Sequence, residues 1–206
     1  MSQRLGAFAL KNRQTGEIED AELYAPVDAG HIADFDQHWK PKIHQRLREM
    51  PRGARTSEAN LEDWGWDWEK KAAVFGGRLD YQSFALECDG MTQGLMLCSL
   101  VRMARESSQR NHHMVYVEFV HTAPWNRPRF TDTPLYKGVG GILIAAAVSL
   151  SIEQEFNGRI GLHSLPQSED WYRNFCGMTD LGIDTDYQQL RYFEMTAEQA
   201  ARFRAM

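Results

Sequence analysis

Cysteine is scarce in this sequence: Cys88, Cys98 and Cys176 are the three among 206 residues. No Cys-x-x-Cys pair occurs, which argues against a zinc site or a dithiol redox motif. The odd number, together with the lack of an N-terminal apolar run, points to a reduced, cytoplasmic protein. Long hydrophobic runs are also missing. No stretch approaches 18 apolar residues without a charge, so no membrane-spanning segment and no membrane partner are expected. Positive charge is in short supply, with 23 Lys and Arg against 28 Asp and Glu and a net charge of −5. Nucleic-acid surfaces rest on clustered basic side chains, so that class of partner is disfavoured. Neither an internal repeat nor a low-complexity segment is present.

What is there is an ordinary globular composition, 43% hydrophobic and 25% charged. The length suits one domain with a sizeable core. Between Gly6 and Pro26, two apolar runs flank Thr15-Gly16 and read as a β-hairpin or first strand. From His31 to Met50, Ile32, Phe35, Trp39, Ile43 and Leu47 recur at spacings of three and four. This marks an amphipathic helix that Pro41 should bend or split. A second helix is expected from Ser57 to Gly76-Gly77, with Trp64 and Trp68 on one face and Trp66 nearly opposite. Leu79–Glu87 and Thr92–Arg102 flank Asp89-Gly90, a strong hairpin signal.

Met114–Thr122 reads as a further strand, with Val115, Val117, Phe119 and His121 on one face and Met114, Tyr116, Glu118, Val120 and Thr122 on the other. Three prolines make Ala123–Pro134 a loop. Gly138–Phe156 reads as a buried helix, Arg159–Leu165 as a strand, Gln167–Phe175 as a helix and Gln188–Met195 as a strand, after which Thr196 caps a last helix. The order gives a mixed α/β sheet, mostly antiparallel and flanked by helices.

The chemistry is concentrated between Tyr116 and Met178. At its centre, Lys137-Gly138-Val139-Gly140-Gly141-Ile142-Leu143 is a glycine turn opening an apolar helix. Glycines let backbone N–H groups approach a ligand, and a helix start adds unpaired N–H groups and a positive dipole end. The pattern suits a diphosphate. It is not a Walker loop, because no Gly-Lys-Ser/Thr follows. Leu143 stands where the dinucleotide fingerprint has its third glycine. A glycine turn without any ligand is the alternative. Glu118 is an ionisable outlier in an apolar strand, and a carboxylate there can serve as a general base or pair with an arginine. His121, at the strand end, is a second base candidate or a structural histidine.

The sequence of features from a strand with Glu118, through Ala-Pro, Gly-x-Gly-x-x-Leu, apolar helix and strand, to Trp171-Tyr172 and Gly177-Met178 resembles the GNAT superfamily of acyl-CoA-dependent N-acetyltransferases. The likeness runs from about Leu79 to Met195 and is vague over the first 75 residues. It implies a single domain over 1–206, with a variable N-terminal part (1–75) and an acyl-CoA-binding core (79–195). There are departures: Leu135 occupies the slot of the phosphate loop's Arg or Gln, with Lys137 two residues on. Met178 replaces a Phe, and Leu165 lies nearest the slot of an Asn.

The resemblance implies acetyl transfer from acetyl-CoA, the co-substrate, to an amine by direct attack, with no metal. Tyr172 would protonate the leaving thiolate. The backbone near Val120 and Thr122 would polarise the thioester, and Lys137 to Leu143 would hold the cofactor. Partners would be a small-molecule amine or a protein amine, and a homodimer is one assembly consistent with the fold. A non-catalytic acyl-CoA-binding module, and an unrelated α/β protein with a glycine turn, are the alternatives.

Overall fold

The turn at Thr15-Gly16 closes a hairpin. Strands β1 (Gln3–Asn12) and β2 (Ile18–Ala25) pair antiparallel from Lys11↔Ile18 out to Gln3↔Ala25. Asn12 Oδ1 accepts the N–H groups of Gln14 and Thr15, a local bond that asparagine offers at turns. This is a computed structural model; it describes residues 2–51 and 62–205.

Asp28 caps helix α1 (Ala29–Asp34) through a capping box with His31. The helical run then widens into a π turn over Phe35–Trp39 before α2 (Lys40–Glu49), where the Lys40 N–H reaches back to the Phe35 carbonyl. Pro41 sits in the first turn of α2. It has no N–H to close an α-helical bond, so the expected break takes the form of this wider turn. Phe35, Trp39 and Ile43, four residues apart, remain buried on one face.

The second helix begins later than its sequence suggests. Ser57 lies outside the described residues, and α3 runs over Trp68–Phe75 with Asp67 as its N-cap, accepting from the Lys70 N–H. Trp64 and Trp66 therefore precede the helix, and the shared face of Trp64 and Trp68 does not exist. Trp68 is 2% exposed and Trp64 47%. The capping carboxylate of Asp67 sets the boundary.

Strands β3 (Tyr81–Cys88) and β4 (Met91–Met103) meet at Asp89-Gly90, whose φ angles of 52° and 66° are those of a type I′ turn. The remaining elements are β5 (His113–Thr122), β6 (Tyr136–Lys137), α4 (Val139–Glu153), β7 (Ile160–Ser164), α5 (Glu169–Asn174), β8 (Thr179–Asp184), β9 (Leu190–Met195) and α6 (Ala197–Arg204). Thr196 caps α6 in a capping box with Gln199.

Among the described residues, nine strands form one sheet in the order β6-β1-β2-β3-β4-β5-β7-β9-β8. The pairing of β5 with β7 is parallel, while β1–β2, β1–β6, β2–β3, β7–β9 and β8–β9 are antiparallel. The expected mixed, mostly antiparallel sheet is the one observed. Two edge strands, β6 and β8, were not foreseen. β6 has two residues, too few for a periodic signal, and β8 carries a register shift between Asp180 and Ile183 around Gly182 at φ +89°.

The described residues fall into two compact units. One lies within Met1–Arg78, Ser83–Met96 and Val120–Leu143, the other within Leu79–Gln82, Leu97–Phe119 and Ile144–Met206. No helix among the described residues is long and apolar enough to cross a membrane.

Candidate active site

The glycine turn belongs to the first unit. Its first helical bond runs from the Ile142 N–H to the Gly138 carbonyl at 3.0 Å. The N–H groups of Val139, Gly140 and Gly141 thus precede the helical ladder, as at any helix start. Gly138 is exposed at φ +112°, a backbone conformation that side-chain-bearing residues rarely adopt. Lys137 is exposed beside it.

Residues that no local motif marks hold this turn. Lys137 and Tyr136 pair with Lys11 and Asn12 of β1. The Tyr136 hydroxyl donates to Glu19 Oε2 at 2.5 Å, and Asn12 Nδ2 donates to Glu19 Oε1 at 2.6 Å. Those hydrogen bonds, Tyr136's first, hold the Glu19 carboxyl below its ordinary pKa. The Tyr136 N–H donates to Asn126 Oδ1 at 2.9 Å, and Gln93 Oε1 receives both Trp125 Nε1 and Asn126 Nδ2. Behind the turn, Gly94 faces the first turn of α4. A Cβ there would lie 2.8 Å from both Leu143 Cδ1 and Val139 Cγ1, so only glycine lets the helix seat this closely.

Glu118 and Tyr172 belong to the second unit. The parallel ladder between β5 and β7 runs over three pairs, from Val115↔Ile160 to Val117↔Leu162, although β7 itself continues to Ser164. Met114 to Val117 are buried, while Glu118 to Val120 are partly exposed, so β5 opens where the ladder stops. The strand's alternation also slips. The Val115 N–H points to the Arg159 carbonyl, but the Ala123 N–H, of the same parity, points to the Gln93 carbonyl. A regular strand would aim both at the same neighbour, so one irregular residue lies between them.

Glu118 is the first residue beyond the ladder, and its side chain is 11% exposed. Burial raises its pKa above the usual carboxylate value. Arg102, whose Nη2 lies 3.9 Å from Oε1, and the Tyr187 hydroxyl, 3.5 Å from Oε2, pull the other way without reversing the shift. The sequence left open a base or a partner of arginine, and the carboxylate has both features: a long contact with Arg102 and a pKa displaced toward neutrality.

Tyr172, on α5, is 5% exposed, against the rings of Trp171 and Phe193. Burial, with the neighbouring Cys176, raises its pKa and keeps the phenol protonated at neutral pH.

His121 stands three residues beyond Glu118 on β5. His121 is 1% exposed, with the rings of Phe35, Trp39 and Trp66 around it. Burial depresses its pKa although Asp63 favours the charged form. Asp63 takes a salt bridge from Arg127 at 2.7 Å and lies 3.2 Å from His121 Nε2. Burial alone would raise the Asp63 pKa, but His121 and Arg127 outweigh it and drive it far down. This geometry fits a structural histidine that ties α3 and the 123–134 loop together. Val120 and Thr122 lie on the open end of β5. Among the described residues, no cluster of three or more His, Cys, Asp or Glu is arranged to hold a metal.

No protein-family model matches the sequence, and no curated protein matches it. Solved structures do. A putative arylalkylamine N-acetyltransferase 7 from the yellow fever mosquito superposes with a TM-score of 0.56 at 9% identity, over 96% of each chain. RimJ of Mycobacterium smegmatis, in complex with CoA-disulfide, gives a TM-score of 0.50 at 14% identity, over 97% of this chain and 93% of its own. PaiA N-acetyltransferase from Thermoplasma acidophilum, in complex with coenzyme A, gives 0.50 at 8% identity, over 84% of this chain and 98% of its own. Identities this low speak to architecture and leave substrate open. Taken with the parted β5 and β7 and the glycine turn opening α4, they establish that the chain has the fold of the GNAT superfamily of acyltransferases.

Proposed function

We propose that this chain is a cytoplasmic N-acetyltransferase that moves an acetyl group from acetyl-CoA to a primary amine of a small molecule or protein. The observation that carries the reading is Glu118: a nearly buried carboxylate of raised pKa at the residue where β5 leaves β7. Its raised pKa makes it a stronger base than an ordinary carboxylate. The glycine turn fits a diphosphate, since its N–H groups precede the helical ladder and Gly138 adds no side chain.

The thioester supplies an activated acyl group. Glu118 takes the ammonium proton and frees the attacking lone pair. Tyr172 supplies a proton to the departing sulfur. Holding amine and thioester together contributes much of the rate. Calorimetric titration with acetyl-CoA, followed by a thiol-release assay over a panel of amines, tests the reading. Binding with turnover of at least one amine is the expected result. Binding without turnover across the panel favours a non-catalytic acyl-CoA module, which the Leu135 substitution in the phosphate loop would suit. No binding removes the proposal.

A further inference from the structure

Tyr172 sits on a helix too short to set its own position. α5 has six residues, and Ser168 before it makes no side-chain cap. An isolated helix of that length is not stable in water, so contacts with the sheet decide where it lies. No hydrogen bond among the described residues engages the Tyr172 hydroxyl, so its aim follows the helix. The ring packs on Phe193, which is fully buried. Apolar packing of this kind is non-directional.

The directional contacts converge on Asp180. It lies opposite Phe193 on the neighbouring strand β8, so the two side chains share a face of the sheet. Arg173, next to Tyr172 on α5, donates from Nη2 to Asp180 Oδ2 at 2.8 Å and lies over the Phe193 ring. Arg191 of β9 donates from Nη1 to Asp180 Oδ1 at 3.1 Å and Oδ2 at 3.2 Å, and from Nε to Glu169 Oε2 at 2.9 Å. Glu169 opens α5 and stands three residues before Tyr172, on the same side of the helix. The Gly182 N–H donates to Asp180 Oδ1 at 2.9 Å, at the irregularity in β8. Burial alone would raise the Asp180 pKa, but Arg173, the Gly182 N–H and Arg191 outweigh it and lower it. The carboxylate is therefore ionised at neutral pH, and the bonds it accepts from the arginines are charge-assisted. Through them both ends of α5 are tied to the edge of the sheet.

Isolated exposed ion pairs hold little, whereas networks with good geometry hold more. The Asp180 side chain is 24% exposed and takes two arginines at once. The pair between Arg173 and Asp170 is of the other kind. Asp170 is 90% exposed and lies on α5 itself, so it cannot fix the helix against the sheet.

We propose that Asp180 is a positioning residue: through Arg173 and Arg191 it holds α5 so that the Tyr172 hydroxyl is aimed at the departing sulfur. This rests on Tyr172 being the acid of the proposed acetyl transfer. In this role Asp180 acts only by where it keeps the helix. A misplacement of about 1 Å is enough to cost on the order of 100-fold in rate.

Asp180→Asn keeps the shape and removes the charge. Single-turnover acetyl transfer should fall about 10-fold, while acetyl-CoA affinity stays within about twofold. Asp180→Glu, which restores the charge, should recover most of the loss. The decisive arm is the double variant with Tyr172→Phe. Once the acid's oxygen is gone its aim no longer matters, so Asp180→Asn should add nothing in that background. Asp170→Asn takes a carboxylate from the same arginine and should leave the rate unchanged. Melting curves report folding, and Arg173→Gln breaks the network from the α5 side where Asp180→Asn melts too low to assay. A folded Asp180→Asn protein with the wild-type rate, or a loss of the same size in the Tyr172→Phe background, overturns the positioning role and leaves the acetyltransferase reading intact. Tyr172→Phe at the wild-type rate overturns the acid and this inference together. A wild type that binds acetyl-CoA and turns over no amine overturns the acetyl transfer itself.

Discussion

Trp68 donates its indole N–H to His121 Nδ1 at 3.2 Å. That bond leaves Nδ1 bare and puts the imidazole proton on Nε2, facing Asp63 at 3.2 Å. The ring is therefore a neutral connector between α3 on one side and the Asp63–Arg127 pair on the other. A general base needs a nitrogen free to take a proton, and both nitrogens of His121 are engaged.

The neutral ring makes stability depend on pH in a definite sense. Burial depresses the folded-state pKa of His121, so below about 6.5 the unfolded chain binds the proton that the folded one refuses. The contribution is fully present above that value and is lost as pH falls through it toward the folded pKa. His121→Leu strands the Trp68 N–H and one side of Asp63, which should cost about 1–3 kcal/mol for each stranded group at pH 7. The variant also lacks the titration. The gap in melting temperature between wild type and variant should therefore narrow from pH 7 to pH 5. A gap that stays constant or widens would show that the imidazole is not held neutral.

Glu118 shifts in the opposite direction from a paired surface carboxylate. A carboxyl whose folded pKa is raised has its full stability below its unfolded value and loses it as pH rises through the folded value. Glu118→Gln should accordingly melt higher than wild type at pH 7. The same change should slow acetyl transfer by roughly 100-fold or more, the range typical of a lost general base. In the wild type, kcat/KM should fall on the acid side as Glu118 becomes protonated, and the variant should lack that inflection. The loss should shrink as pH approaches the pKa of the amine, when deprotonated acceptor is abundant. Matching profiles in the two proteins would remove Glu118 as the base.

How much of this was legible depended on whether the signal is local. Both hairpins were announced by their turn pairs, Thr15-Gly16 and Asp89-Gly90, because those residues accept the φ angles that tight turns require. The caps Thr196 and Gly76 bound their helices as expected. Glu118 was visible because a charge inside an apolar strand is unusual. The start of α3 was misread because tryptophans spaced four apart imitate a helical face, whereas Asp67 decides where the helix begins. The supports of the site were invisible for another reason. Glu19 and Tyr136 come from different strands, and the link between them spans 117 positions. No window of sequence contains such pairs.

The glycine turn can be tested without any turnover. Gly138 holds φ +112°, and a Cβ would sit 3.4 Å from Leu10 Cδ2. Space is adequate, so the penalty for Gly138→Ala is conformational, on the order of 1–3 kcal/mol of strain. The chain can relieve it by rotating the turn, which would move the N–H groups of Val139 to Gly141. Acetyl-CoA affinity measured by calorimetry should fall at least about 10-fold, equivalent to about 1.4 kcal/mol. A modest drop in melting temperature should accompany it. Undiminished affinity in a folded variant would mean that this turn does not hold the diphosphate.

Tyr172 separates a catalyst from a binder most directly. Its ring is packed against Trp171 and Phe193, and no hydrogen bond among the described residues engages its hydroxyl. Removing the oxygen should therefore disturb the fold little, within about 0.5 kcal/mol, as for substitutions that touch no buried bond. Burial keeps the phenol protonated, which an acid requires, but the raised pKa also makes it a reluctant donor. A thiol with pKa of about 8.5 leaves fairly well unaided. The two facts place the cost of Tyr172→Phe at the low end of general-acid effects, about 100-fold in the single-turnover rate. Acetyl-CoA affinity should change by less than about 3-fold, since the hydroxyl meets the sulfur only as the bond breaks. Acyl acceptance by a poorer nucleophile should suffer more than by a better one, because the leaving step then limits the reaction. Single-turnover transfer with two amines of different basicity, alongside melting curves, reads all of these at once. A variant that folds, binds acetyl-CoA and transfers acetyl at the wild-type rate to both amines would strip Tyr172 of the acid's role.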